Sequence, residues 1–181
     1  IIVNVTGAKT AGTFGNDQIV STLTKNTFVE SYRIVLENPE NPNSDLVADF
    51  GDNTIISTKG AQDTIQISAL DKNAPKVSAY DANFAYVDAD EDDAKELVIE
   101  AGVGSVTYSQ MDGENAVDAD LSKVTFTDAQ NTKWAFTNDA TAALDLSKAK
   151  TNNIVWATGN VTDSKKNDII MATGEAAQKF T

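Results

Sequence analysis

The segment Asn152-Asn153-Ile154-Val155-Trp156-Ala157-Thr158-Gly159 recurs fifteen residues later, in closely matching form, as Asn167-Asp168-Ile169-Ile170-Met171-Ala172-Thr173-Gly174. Each copy places Asn or Asp, which favour turns, ahead of β-branched and apolar residues, which favour strands. One turn-plus-strand unit cannot bury its apolar face alone, so repeated units predict strands that pack side by side. The pair therefore predicts a fold of short strands joined by Asn/Asp/Gly turns.

Related copies of this unit occur in the first half of the chain, at 16–22, 52–60 and 62–68. With further β-branched runs along the chain, they predict an all-β protein, with 1–181 as a single β-rich domain. The copies favour a β-solenoid-like arrangement, whereas the long apolar run at 27–36 favours a β-sandwich. Both architectures remain open on the sequence alone.

Three other segments carry local predictions. The segment 37–44 contains two of the three prolines, which cannot continue a strand ladder, so it is expected to form an exposed hairpin loop. The segments 90–97 and 139–149 show weak helical character, with first-turn acids in one and many alanines in the other.

Two of the repeat copies carry part of a known family pattern. Gly15-Asn16-Asp17-Gln18-Ile19 and Gly51-Asp52-Asn53-Thr54-Ile55 match the half-motif G-x-[D/N]-x-U, where U is a large apolar residue. The chain thereby resembles the secreted bacterial RTX (haemolysin-type calcium-binding) proteins. The copies do not follow one another at nine residues, which fits a surface-layer or adhesin-like protein better. The resemblance implies calcium at the repeat turns, with Asp17, Asp63 and Asp168 as the turn carboxylates, and a location outside the cell or at the bacterial cell surface.

Acidic residues also gather in two clusters outside the repeats. Asp88-Ala89-Asp90-Glu91-Asp92-Asp93 resembles the start of an EF-hand loop, but Asp93 and Ile99 occupy the positions that need Gly and a bidentate acid. A second acidic loop contains Asp112, Glu114 and Asp118. We expect the two loops to lie near one another. The candidate cation ligands of the two loops are Asp88, Asp90, Asp92, Asp112, Glu114 and Asp118, and the alternative is that both loops are solvated acidic turns without a bound ion.

Composition excludes several classes of function. The net charge is −13 and the chain has no His and no Cys, which excludes Ser-His-Asp and Cys-His nucleophiles, zinc fingers and thiolate clusters. A single Arg, Arg33, and a pI near 4.2 argue against binding nucleic acid. No apolar run reaches the length of a transmembrane segment. The start at Ile1, without Met, is typical of a processed product or of a domain excised from a longer surface protein.

These observations predict a non-enzymatic structural or adhesion module, stabilised by calcium, whose partners are other copies of itself or neighbouring surface proteins. A carbohydrate- or other ligand-binding module is the alternative, with Trp134 and Trp156 as the aromatic residues to consider. Met171 replaces Trp156 in the paired repeat, which favours a core position for that ring. A carboxylate-based hydrolase is the least favoured alternative, because no pair among 27 acidic residues can be singled out.

Overall fold

The computed structural model describes residues 2–4, 9–12, 15–140, 143–173, 179 and 181. These residues form an all-β fold, as predicted, and their helical segments are two short 3₁₀ turns at Ala79–Asp81 and Leu121–Lys123. No helix in this part of the chain is long and apolar enough to cross a membrane. The strands are β1 (Ile2–Asn4), β2 (Lys9–Ala11), β3 (Gln18–Val20), β4 (Lys25–Leu36), β5 (Leu46–Thr58), β6 (Gln62–Ala69), β7 (Ala82–Val87), β8 (Glu96–Ala101), β9 (Val103–Asp112), β10 (Asn115–Val117), β11 (Thr125–Thr127), β12 (Lys133–Ala140), β13 (Leu144–Asp145), β14 (Asn152–Ala157), β15 (Val161–Thr162) and β16 (Asp168–Ala172).

Fourteen of the strands join in one curled sheet that forms a half-barrel. Its main order is β16-β14-β12-β11-β6-β4-β5-β9-β8-β7, with β2 beside β4, β3 beside β5, β1 beside β3 and β10 beside β9. β13 and β15 form a separate parallel pair. This curled sheet is not clearly the solenoid or the sandwich that the sequence left open.

The β4–β5 hairpin is the centre of the sheet. Arg33–Leu36 pair antiparallel with Leu46–Asp49, and the loop between them contains Pro39 and Pro42, which confirms the predicted hairpin loop. Beyond this short ladder the two strands diverge, because β4 continues in parallel with β6 while β5 continues in parallel with β9. The hairpin therefore divides the sheet into two halves.

The two halves face each other across the apolar core. Phe28 on β4 and Tyr108 on β9 are fully buried, and their ring centroids lie 6.5 Å apart. Phe84 on β7 packs edge-on against Phe126 on β11, with centroids 5.3 Å apart. Burial of such rings is the main favourable term in folding. Curling of the sheet is what brings residues of β7–β9 against residues of β11 and β12.

Two pairs of the sequence copies lie side by side in the sheet, whereas the copy at 62–68, on β6, lies between β4 and β11. β14 and β16 are parallel, with Ile154 opposite Ile169 and Trp156 opposite Met171. β3 and β5 pair in the same manner, with Ile19 opposite Ile55. The parallel pairs thus place the inward apolar residue of one copy beside that of the next. Gly174, the last residue of the copy at 167–174, lies outside the described residues.

Both helical predictions are wrong within the described residues. The segment 90–97 forms a loop and the start of β8, and Glu91 and Asp93 have φ angles of 66° and 69°, which an α-helix does not contain. The described part of 139–149 forms the end of β12, then β13 and a turn, and 141–142 lie outside the described residues. Tertiary pairing overrides the weak local preference of both segments.

Glycines allow three chain segments to approach closely at one end of the sheet. Gly51 and Gly104 lie opposite each other in the β5–β9 pair, and both have positive φ angles, 65° and 100°. A Cβ on Gly104 would overlap the carbonyl oxygen of Gly51, and a Cβ on Gly51 would lie 2.7 Å from the carbonyl carbon of Gly15. No side chain fits between these backbones without a shift.

We expect Gly104→Ala to lower the free energy of unfolding by about 3 kcal/mol, since strain at positive φ adds to a backbone clash. Gly113 is the matched control, because its φ is 65° but a Cβ there meets nothing within 4 Å. Gly113→Ala should therefore cost only about 1 kcal/mol. Urea denaturation of both variants measures the difference, and equal losses would contradict the close approach.

An ionisable side chain is buried between the two halves of the sheet. Glu30 on β4 is fully buried, and neither of its carboxyl oxygens has a hydrogen-bond partner among the described residues. Burial, followed by repulsion from Asp17, raises the pKa of Glu30 to about 7. Gly12 makes room for it, because a Cβ on Gly12 would lie 2.6 Å from Oε2 of Glu30.

This raised pKa makes stability depend on pH. The native pKa lies above the unfolded value of 4.5, so the contribution of Glu30 is fully present below about pH 4.5 and is lost as the pH rises through about 7. Titration of Glu30 should lower the free energy of unfolding of the parent protein by roughly 2–3 kcal/mol between pH 5 and pH 8. Gln does not titrate, so Glu30→Gln should lack this part of the pH dependence. Urea denaturation at the two pH values measures this loss, and an unchanged loss in the variant would show that Glu30 does not cause it.

Candidate functional site

Three carboxylates meet where the loop between β7 and β8 returns to the sheet. They belong to Asp88 and Asp90 in the loop and to Glu96, the first residue of β8, and one oxygen from each lies within 4.8 Å of the others. Asp88 and Asp90 are exposed, whereas Glu96 is only 2% exposed. We refer to these residues as the acidic triad. Among the described residues, it is the one group of three acidic side chains this close together.

Local hydrogen bonds give the loop the shape that assembles the triad. The carboxylate of Asp88 accepts the backbone N–H groups of Asp92 and Asp93, at 3.1 and 3.2 Å, which turns the chain back on itself. The N–H of Ala89 donates to Oε2 of Glu96 at 2.7 Å and holds the loop over this side chain. Asp side chains favour such turns because they bond backbone groups a few residues ahead.

The acidic triad has the residues and the charge that could hold a cation. Burial raises the pKa of Glu96, the bond from Ala89 opposes this, and the nearby carboxylates of Asp90, Asp92 and Asp88 raise it further. A divalent cation would offset both the lost hydration and the mutual repulsion. Carboxylate oxygens are the ligands that calcium and magnesium prefer in proteins, and nothing in the triad distinguishes the two ions.

Glu96 is the triad member that sequence reasoning missed. Along β8, Leu97 and Ile99 face the core, so alternation places Glu96 on the outer face with Val98 and Glu100. Only the return of the loop over the strand buries its carboxylate. The signal in the sequence is the presence of an acid at the first strand position after an Asp-rich loop.

The other predicted loop ligands lie outside the triad. Asp92 accepts the N–H of Ala94 at 2.9 Å, and Asp112 forms an ion pair with Lys59 at 2.9 Å. Glu114 is exposed in the turn between β9 and β10. Asp118 accepts the N–H of Lys95 at 2.8 Å, so it joins the second acidic loop to the first, as expected from the sequence.

The carboxylates of the repeat turns make hydrogen bonds within the protein. Asp63 is buried and accepts the hydroxyls of Ser57 and Tyr108, at 2.5 and 2.7 Å. Burial raises the pKa of Asp63, although these bonds and the N–H of Asn26 oppose the rise.

Asp17 lies directly before β3, and Asp168 is the first residue of β16. The N–H of Asp17 donates to Oδ1 of Asn53 at 2.9 Å, and its side chain lies beside Glu30. Asp168 accepts the side-chain amide of Asn153 at 2.7 Å. Burial alone would raise the pKa of Asp168, but hydrogen bonds from Asn153 and Ser164 outweigh it and hold the pKa below its usual value.

Both tryptophans belong to the core. Trp134 is 1% exposed and Trp156 is 7% exposed, and Phe136 stacks on Trp156 with centroids 6.0 Å apart. A ligand therefore has no access to a face of either ring. Neither tryptophan can therefore act as the exposed stacking surface that the carbohydrate-binding alternative requires.

Comparison with family models, with curated proteins and with solved structures finds no match to this chain. The resemblance to RTX repeat proteins and to surface-layer or adhesin-like proteins therefore stays a prediction.

We expect calcium to raise the melting temperature of the protein, because an ion that binds only the folded state stabilises it by mass action. At a hundredfold excess over the dissociation constant the rise is roughly 5–10 °C for a chain of this size. Glu96→Gln should abolish most of this rise. Glu114→Gln removes one acidic charge outside the triad and should preserve it. Thermal melting with calcium, with magnesium and with EDTA measures these changes for the parent and both variants. A melting temperature that is the same under all three conditions would exclude a cation at the triad.

Proposed function

We propose that this chain is a non-enzymatic structural or adhesion module of a bacterial surface, in which a cation at the acidic triad orders the loop beside one sheet edge. The observation that carries the proposal is the position of the triad. The triad lies where β7, the last strand on one side of the sheet, connects to β8. A bound ion would therefore fix the end of an edge strand.

The sheet edges supply the contact surface of this proposal. In the described residues, β7 pairs only with β8 and β16 pairs only with β14. An open strand edge presents unpaired N–H and C=O groups and is a template for pairing with another chain. We propose that β7 of one copy pairs with β16 of the next, which extends the sheet from copy to copy.

Charge and composition are compatible with this role. The formal charge of −13 disfavours contact between copies unless cations screen or bridge it. The exposed carboxylates of Asp88 and Asp90 lie directly after β7, where a cation would remove that repulsion. We infer that assembly requires a divalent cation, with calcium as the candidate for an extracellular setting.

Sedimentation velocity of the full chain, with calcium and with EDTA, tests the proposal. We expect association that grows with protein concentration in calcium and reverses in EDTA, and extended assemblies in electron micrographs. Ala85→Lys introduces a charge in the middle of β7 and should weaken association about tenfold, since a lysine on an edge strand opposes edge pairing.

Thr107→Lys provides the matched control. By strand alternation Thr107 lies on the same outer face as Ala85, but β9 is flanked by β5 and β8 and offers no open edge. The control should associate like the parent chain. Equal weakening by both variants would place the contact on the sheet face, and a protein that stays monomeric in calcium would contradict the proposal.

A further inference from the structure

A cleft of about 510 Å³ opens between the 3₁₀ turn at Ala79–Asp81 and the loop that leads into β16. Its volume lies within the range of ligand-binding clefts. The residues that line the cleft include none of the acidic triad. They include Tyr80, Asp163, Lys166, Asn167, Asp168 and Ile170.

One wall of the cleft is an exposed aromatic ring that the protein holds in place. Tyr80 is 61% exposed, yet its ring packs edge-on against the buried Trp134, with centroids 5.4 Å apart and planes at 90°. Asp128 holds the Trp134 indole and the backbone next to Tyr80, because it accepts the indole N–H of Trp134 at 3.3 Å and the N–H of Ala79 at 3.2 Å. Tyr80 therefore offers an exposed ring that packs against a fixed indole.

The opposite wall is polar and also held in place. Asp168 is fixed by the amide of Asn153 at 2.7 Å and by the N–H of Ser164 at 3.2 Å. The N–H of Asn167 donates to Oδ1 of Asn152 at 3.1 Å, which fixes the backbone there and leaves the Asn167 side chain exposed. Carboxylate and amide groups together accept and donate hydrogen bonds.

This combination of walls selects one class of ligand. The lining contains two carboxylates, Asp163 and Asp168, against one lysine, Lys166, and the chain is strongly negative, so phosphate and other anions are disfavoured. A single ring among polar side chains offers little to a wholly apolar molecule. A pyranose sugar fits both walls, because one face of its ring carries C–H groups that pack on an aromatic ring and its edge carries hydroxyls for planar polar side chains. We propose that this cleft binds a neutral saccharide, with Tyr80 as the stacking platform and Asn167 and Asp168 as the hydroxyl-binding groups.

A microarray of neutral oligosaccharides of glucose, N-acetylglucosamine, mannose and galactose tests the proposal with the full chain. Isothermal titration calorimetry then measures the affinity for each sugar that is captured. Tyr80→Ala should weaken binding about tenfold, whereas Tyr80→Phe keeps the ring and should stay within about threefold of the parent. Asn167→Ala should weaken binding without moving the melting temperature.

Two control variants separate this site from the rest of the molecule. Leu70 is similarly exposed, at 55%, but lies outside the cleft, so Leu70→Ala should leave sugar affinity unchanged. Glu96→Gln should also leave it unchanged, because the triad is a different site. The proposal is overturned if no sugar on the array binds, or if Tyr80→Ala, with its fold confirmed by circular dichroism, binds as well as the parent.

Discussion

The antiparallel ladder between Arg33–Leu36 and Leu46–Asp49 holds the two halves of the sheet together. Beyond this ladder β4 and β5 have different partners, because β4 continues in parallel with β6 and β5 continues in parallel with β9. The halves then close on Phe28, Tyr108 and the other buried rings of the core. The curl of the sheet, the position of its open edges and the place of both candidate sites follow from where this hairpin diverges.

Local chemistry made a good part of the fold predictable. The all-β class follows from β-branched runs between Asn, Asp and Gly, and the hairpin loop follows from Pro39 and Pro42. The relation between 152–159 and 167–174 corresponds to the register of β14 against β16. The curl was not predictable, because it depends on which distant strands pair. The helix expected at 90–97 fails because turns around Asp88 and Asp92 outweigh a weak helical preference.

Candidate site residues were predictable only where the chain displays them together. Asp88 and Asp90 stand out in a run of acids, but Glu96 becomes a partner only when the loop folds over β8. The acids at the repeat turns look like cation ligands in sequence, yet Asp63 and Asp168 accept hydrogen bonds from Ser, Tyr and Asn side chains. Spacing in sequence does not reveal which neighbours satisfy a buried carboxylate, because those neighbours come from other strands.

The long-range strand pairs have a consequence for how the chain folds. Ile55 on β5 pairs with Tyr108 on β9, which is 53 residues later in the sequence, whereas paired residues of β14 and β16 are 15 residues apart. Closing a long loop before its contacts form slows folding, so the central β5–β9 pair is expected to form late and the C-terminal strands early. Until that pair forms, the strands of both halves remain exposed to one another and to neighbouring chains. Such a chain depends on staying separate from its copies while it folds, and mutual repulsion from its net charge of −13 favours that separation.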